Sequence, residues 1–203
     1  MSNIIIDFET GGYHLTGKVI NVAFTHFDFT GEVESFNDII ERTQYYKFNY
    51  KAIDQKHFKF DETVIQWWLE QDKNLFKETF KNPEEGITLT EFKDIFTKYI
   101  ATHFDNDCNL WCRGTSFDMT ILDRIYGEGN FPVAFWRVRD IRSFIDAVNV
   151  MTNIPNNNGF YFSGSLNGFK DEYIAHDPIQ DIAKDVRQLQ MAYKLLTLVN
   201  KEE

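Results

Sequence analysis

Cysteine and proline are scarce in this chain, and basic residues are outnumbered by acidic ones. Only two cysteines and four prolines occur in 203 residues. Two thiols rule out a disulfide framework, and with so few partners they are poor candidates for a structural zinc site. Cys108 and Cys112 lie in a stretch that reads as a strand. They would share one face there, too far apart along extended chain for an easy disulfide, and are expected as reduced core thiols. No apolar run is long enough to span a membrane, and no basic, apolar and cleavable leader opens the chain, so a soluble cytoplasmic protein is expected. Lysine and arginine total 21 against 31 acidic residues, a formal net charge of −10. That balance argues against a broad phosphate-binding surface, because nucleic-acid binders usually carry a basic stripe. The objection weakens if several carboxylates hold divalent ions where a phosphate would sit.

What is abundant is apolar and aromatic, at 43% and 16% of residues, enough to bury a full core. No internal repeat or low-complexity tract divides the chain, and one domain over residues 1–203 is expected. The most informative stretch is the first dozen residues, where Ile4, Ile5, Ile6 and Phe8 form a buried strand closed by Gly11 and Gly12. Side chains alternate along a strand, so Asp7 and Glu9 project from one face and Phe8 from the other. Two like charges side by side near a dry core demand compensation, and a hard divalent cation supplies it. Asp-x-Glu is also a common chance pattern at a solvated strand end, so other carboxylates must converge to give it meaning.

Residues 19–29 read as a second strand, Thr30-Gly31 as a hairpin turn and residues 32–36 as a return strand, which together make an antiparallel meander. His26, in mid-strand, reads as structural. Residues 37–60 give no clear element. Asp61 caps a helix over residues 61–70 with Val64, Ile65, Trp68 and Leu69 at core spacing. Trp67 falls off that stripe; core packing is the simpler reading, base stacking the other. Pro83 and Gly86 break the chain before a helix with a Thr88-x-x-Glu91 capping box. Residues 109–112 then form a buried strand, ended by Arg113-Gly114 and followed by a helix with Asp118 in its first turn. Sites in α/β sheets gather at such strand-to-helix turns, although an acid there also simply suits the helix dipole. Residues 135–138 read as a short strand, 140–150 as a helix, and the glycine- and asparagine-rich residues 153–168 as a long loop and candidate substrate lid. Asp177-Pro178-x-Gln180 opens a last helix to about residue 198, with His176 just before it and Asp181 one turn in. Asp185, one further turn along, reads as a solvated or supporting acid.

Asp7-Phe8-Glu9, Gly114-x-x-Phe117-Asp118 and His176-x-x-x-x-Asp181, in this order, resemble the motifs of DEDDh-type 3′-to-5′ exonucleases. Residues 63–68, 111–118, 139–142 and 175–178 are similar to the branch shared by T-even phage exonucleases and small bacterial exoribonucleases, and the resemblance covers nearly the whole chain. It implies an α/β, ribonuclease-H-like fold, with an antiparallel meander first, then parallel strands, all flanked by helices. It also implies two Mg²⁺ ions, with Mn²⁺ able to substitute, held by Asp7, Glu9, Asp118 and Asp181, and His176 as the general base. The substrate implied is a 3′ end, mainly of single-stranded DNA, with RNA as the alternative; a binding module that does not cleave is a reading from another class. Phe8, Thr10, Trp67 and Phe117 are the implied substrate contacts. Arg113 stands where many members have asparagine, and would either hold a phosphate or brace a carboxylate. Such enzymes often work as homodimers, a candidate assembly here. A phage-encoded member would act in the host cytoplasm.

Overall fold

The computed structural model describes residues 2–105, 107–152 and 173–199. Strands β1 (Ser2–Thr10) and β2 (Val19–Asp28) pair antiparallel over nearly their full length. The next strand, β3 (Gln44–Lys47), extends the antiparallel part, while β4 (Leu110–Cys112) and β5 (Val138–Asp140) add parallel to the other edge of β1. The sheet order is β3-β2-β1-β4-β5, so β1 is central. This mixed sheet is the expected arrangement.

Alternation along β1 divides the core. Ile4, Ile6 and Phe8 pack with Phe92, Phe96 and Ile100 of helix α4 (Leu89–His103) and with Ile121 and Leu122 of α5 (Thr115–Tyr126). Ile5 faces the opposite layer, with Ile141, Ile145 and Val148 of α6 (Ile141–Met151) and Ile182, Val186 and Leu189 of α7 (Pro178–Val199). The expected capping box opens α4: the Glu91 amide donates to Thr88 Oγ1 at 3.1 Å, and the Thr88 amide donates to Glu91 Oε2 at 2.7 Å.

Several local readings are corrected. Residues 32–36 form no return strand. Instead Ser35 caps helix α1 (Phe36–Arg42), accepting the Asp38 amide at 3.1 Å, and the helix buries Phe36 and Ile39, one turn apart. A serine cap with apolar residues three apart outweighs the β-forming character of Val33 and Phe36. The meander's third strand is therefore β3, inside the stretch that gave no clear reading. Residues 135–137 form a 3₁₀ turn, and the strand begins only at Val138. In α2 (Glu62–Leu69) Trp68 alone of the expected stripe is fully buried, Val64 and Ile65 are half-buried and Leu69 is exposed. A further helix, α3 (Lys73–Phe80), is capped by Asp72. Cys108 and Cys112 are free and buried. Residues 153–168 lie outside the described residues. Among the described residues no helix is long and apolar enough to cross a membrane.

Candidate active site

Because Ile5 faces α7, Asp7 and Glu9 must do so as well, and they emerge at the carboxyl end of β1. Both keep part of their surface exposed. Asp118 reaches the same place from the opposite layer. The edge of β1 that pairs with β4 runs past the end of that short strand, since only Ile4 and Ile5 have partners there. Beyond that pairing, the Phe8 amide donates to Asp118 Oδ1 at 3.1 Å. The turn that delivers α5 needs Gly114 at φ +112°, a left-handed conformation that costs glycine little. Asp140 fixes the turn: its Oδ2 accepts the Gly114 amide at 3.0 Å and the Thr115 amide at 3.1 Å. Its Oδ1 accepts the Ser143 amide at 2.9 Å, so one carboxylate caps α6 while holding the start of α5.

The third contribution is the start of α7. Asp177 accepts the Ile179 amide at 3.0 Å, as its capping role predicts. His176, at φ +67°, turns the chain sharply into the helix, and its amide donates to Asp181 Oδ2 at 2.9 Å. Potential ligand atoms of Glu9, His176 and Asp181 lie within 4.8 Å of one another. The imidazole meets the Trp67 ring edge-on, with centroids 4.6 Å apart. The structure thus brings Asp7, Glu9, Asp118, Asp181 and His176 to one end of the sheet from three separate stretches of chain.

Burial, followed by repulsion from the neighbouring acids, pushes the Asp7 and Glu9 carboxyls well above the usual range. Asp118 is raised to about 8 by burial, against the opposing effects of the Phe8 amide and the Arg142 guanidinium. Burial lowers the His176 imidazole, with Asp181 acting in the other direction. Lys184, one turn beyond Asp181, contacts Asp181 Oδ1 through its Nζ, which also donates to the Tyr173 hydroxyl at 2.9 Å and stands 3.7 Å from Asp185. Burial disfavours that ammonium, but Asp185 and Asp181 outweigh it and hold its pKa above the usual lysine range. One ammonium does not balance this cluster. Hard oxygen donors carrying excess negative charge fit Mg²⁺ or Mn²⁺.

The remaining sequence-derived contacts fare differently. Phe8 is buried in the core against Phe48 and Phe92, so its ring cannot wedge a base; strand alternation turns it away from the acids. Thr10 is buried too, its hydroxyl donating to Gly12 O at 2.5 Å and its carbonyl accepting Trp68 Nε1 at 2.9 Å, which ties α2 to the end of β1. Arg113 braces a carboxylate: Nε and Nη2 donate to Asp185 at 2.8 and 2.7 Å, and Nη2 also to Gln188 Oε1 at 2.5 Å. Phe117 is half-buried against the core, edge-on to His14 at 6.0 Å. Trp67 is 37% exposed beside His176, which sets aside its reading as a core residue. Lys184 and Tyr173 escaped sequence reasoning. For Lys184 the signal was its i+3 spacing from Asp181, which sets both on one helix face; Tyr173 carried none.

The chain is 34% identical to the exodeoxyribonuclease of Enterobacteria phage T4, over 100% of its own length and 93% of that protein. Its fold is shared with cell-death related nuclease 4, at a TM-score of 0.61 and 14% identity, covering 96% of this chain and 64% of that one. The nuclease domain of 3′hExo, a DEDDh family member bound to rAMP, gives a TM-score of 0.55 at 11% identity, covering 98% of this chain and 92% of that one. Residues 2–183 match the Rv2179c-like 3′-5′ exoribonuclease domain family. The chain belongs to that family and is a 3′-to-5′ exonuclease.

Proposed function

We propose that the chain removes nucleoside 5′-monophosphates from the 3′ ends of single-stranded DNA, with Asp7, Glu9, Asp118 and Asp181 holding two divalent ions and His176 as general base. The observation that carries this reading is the convergence of four carboxylates and one histidine at the carboxyl end of β1. Bound there, the ions supply activation of the attacking water and stabilisation of the leaving 3′ oxygen. The protein's own part is positional. Asp7 and Glu9 are fixed by strand geometry, Asp118 by the Phe8 amide, and Asp181 by the His176 amide and Lys184. Burial favours the neutral imidazole of His176, the form that can accept a proton from water. Asp181, beside it, stabilises the imidazolium formed. Trp67 offers a flat, partly exposed face next to the base, suited to stacking on the terminal nucleotide.

The phage relative's name favours DNA, and the family's description favours RNA as a second reading. A host-cytoplasmic location and a homodimer accompany the proposal as further expectations; sedimentation tests the latter. The deciding experiment is a time course on matched 5′-labelled DNA and RNA single strands with Mg²⁺, with Mn²⁺, with EDTA, and with His176→Ala. Stepwise shortening from the 3′ end that needs metal and falls about 10²- to 10⁴-fold in the variant is expected. The faster strand identifies the sugar. Full activity of His176→Ala would remove it as the base, and no shortening of either strand would leave end binding as the function.

A further inference from the structure

The region from Phe135 to Arg142 stands apart from the rest of this acidic chain. It carries three arginines, Arg137, Arg139 and Arg142, next to two aromatic side chains that no core position accounts for. Phe135 is 82% exposed and Trp136 63%, set edge-to-face at 5.1 Å on the 3₁₀ turn. Leaving two large rings in water forgoes the burial expected of them, and exposed aromatic pairs of this kind mark contact surfaces.

The rings line a groove of about 590 Å³, within the roughly 300–1,000 Å³ common for ligand sites. Its other wall is one face of α5, where Thr115, Met119 and Asp123 recur at four-residue intervals. Thr115 is one turn from Asp118, so the groove and the catalytic cluster share the start of one helix. Arg142 reaches the turn that opens this helix. Its Nη1 donates to Arg113 O at 3.2 Å and lies over Gly114, where an added Cβ would meet it at 3.0 Å. Arg139 is held against its own turn by the carbonyls of Trp136, at 2.6 Å, and Val138, at 2.9 Å. Among the described residues neither Arg137 nor Arg139 forms an ion pair with a carboxylate.

Stacking platforms beside guanidinium groups are the chemistry that holds single-stranded nucleic acid without regard to sequence. We propose that this groove carries the nucleotides upstream of the 3′ end, with bases stacked on Phe135 and Trp136 and phosphates met by Arg137, Arg139 and Arg142. The proposal rests on the exonuclease reading of the neighbouring site. It also answers the charge objection: the chain carries its phosphate contacts on one short segment instead of a broad basic face.

Binding is measured in Asp118→Asn protein, so that the strand is not consumed, by fluorescence anisotropy of 5′-labelled oligonucleotides of two, four and ten nucleotides. The parent is expected to bind tighter with length. Phe135→Ser with Trp136→Ser is expected to weaken the ten-nucleotide strand at least tenfold and flatten the length dependence. Arg139→Ser is expected to lower the slope of log affinity against log salt by about 0.7, one phosphate's worth for a single strand. Circular dichroism checks folding, and these side chains are exposed. A ten-nucleotide strand bound equally well with and without the two rings, or not bound by the parent, would overturn the groove assignment. So would conversion of a dimer to monomers by the double substitution, which would make the rings a subunit contact. Digestion by the wild-type chain is scored separately, so failure of the groove and failure of the exonuclease reading give different results.

Discussion

Arg113 closes a two-point fork on Asp185, with both side chains mostly shielded from solvent at 13% and 6% exposure. Asp185 is thereby assigned to holding α7 against the end of β4, leaving Asp181 as the acid of that helix that meets Glu9 and His176. Removing Arg113 leaves Asp185 with Lys184 Nζ, at 3.7 Å, as its remaining cation, so Arg113→Ala is expected to lower stability in denaturant unfolding by less than the about 3–5 kcal/mol that an uncompensated buried charge costs. Asp185→Asn should lower the melting temperature yet retain turnover. Asp181→Asn should remain folded, because Asp185 still faces Lys184, and lose turnover. Retained turnover in Asp181→Asn would withdraw it from the ligand set.

The raised carboxyls give the metal-free protein a characteristic pH dependence. Asp118 moves from an ordinary 3.8 to about 8, and Asp7 and Glu9 move in the same direction. A group that binds its proton more tightly when folded stabilises the fold fully below its unfolded pKa, and that contribution is lost as pH rises through the folded value. Thermal melts in EDTA should therefore show stability falling from about pH 4 towards pH 8 on this account. Asp118→Asn should flatten the decline. A melting temperature that rises over that window would contradict the burial of these acids.

Lys184 supplies from within a positive charge that a bound ion would otherwise provide. Lys184→Met is expected to destabilise the metal-free protein, since Asp181 and Asp185 lose their shared ammonium. It should also enlarge the melting-temperature increase that Mg²⁺ produces. An Mg²⁺-induced shift no larger than that of wild type would separate the lysine from the ion site.

Neither thiol should react in the native protein. Burial raises Cys108 to about 11 and Cys112 well above the usual thiol range, leaving almost no thiolate at neutral pH. A chromogenic disulfide reagent should label both only on unfolding; rapid labelling of either would indicate an open strand edge.

The sequence made legible the elements whose signals are local. The alternation of β1, the Thr88–Glu91 box and the Asp177-Pro178 helix start each announce themselves within a few residues, and the first and last of them place Asp7, Glu9 and Asp181. The strand at Gln44 is hidden because the aromatic residues there suit either state and only pairing with β2 decides, while at Ser35 the β-forming Val33 and Phe36 mask a local helix cap. For a different reason Phe8 is no substrate contact, and of the two readings of Arg113, holding a phosphate or bracing a carboxylate, the structure carries the second. Adjacency to a motif says nothing about which layer a side chain enters, and the core and Asp185 claim them respectively. Lys184 shows the converse, a residue inside the site that no motif names.

One carboxylate, Asp181, accepts the amide of His176 while standing among the acids. Loss of Asp181 would therefore also loosen the backbone that presents the imidazole, so two deletions would strike a single unit. In a double-mutant cycle, Asp181→Ala, which removes the acceptor of that amide, and His176→Ala should together slow turnover far less than the product of their separate effects. The carboxylate and the imidazole proposed to move the proton would then have no independent energies to assign.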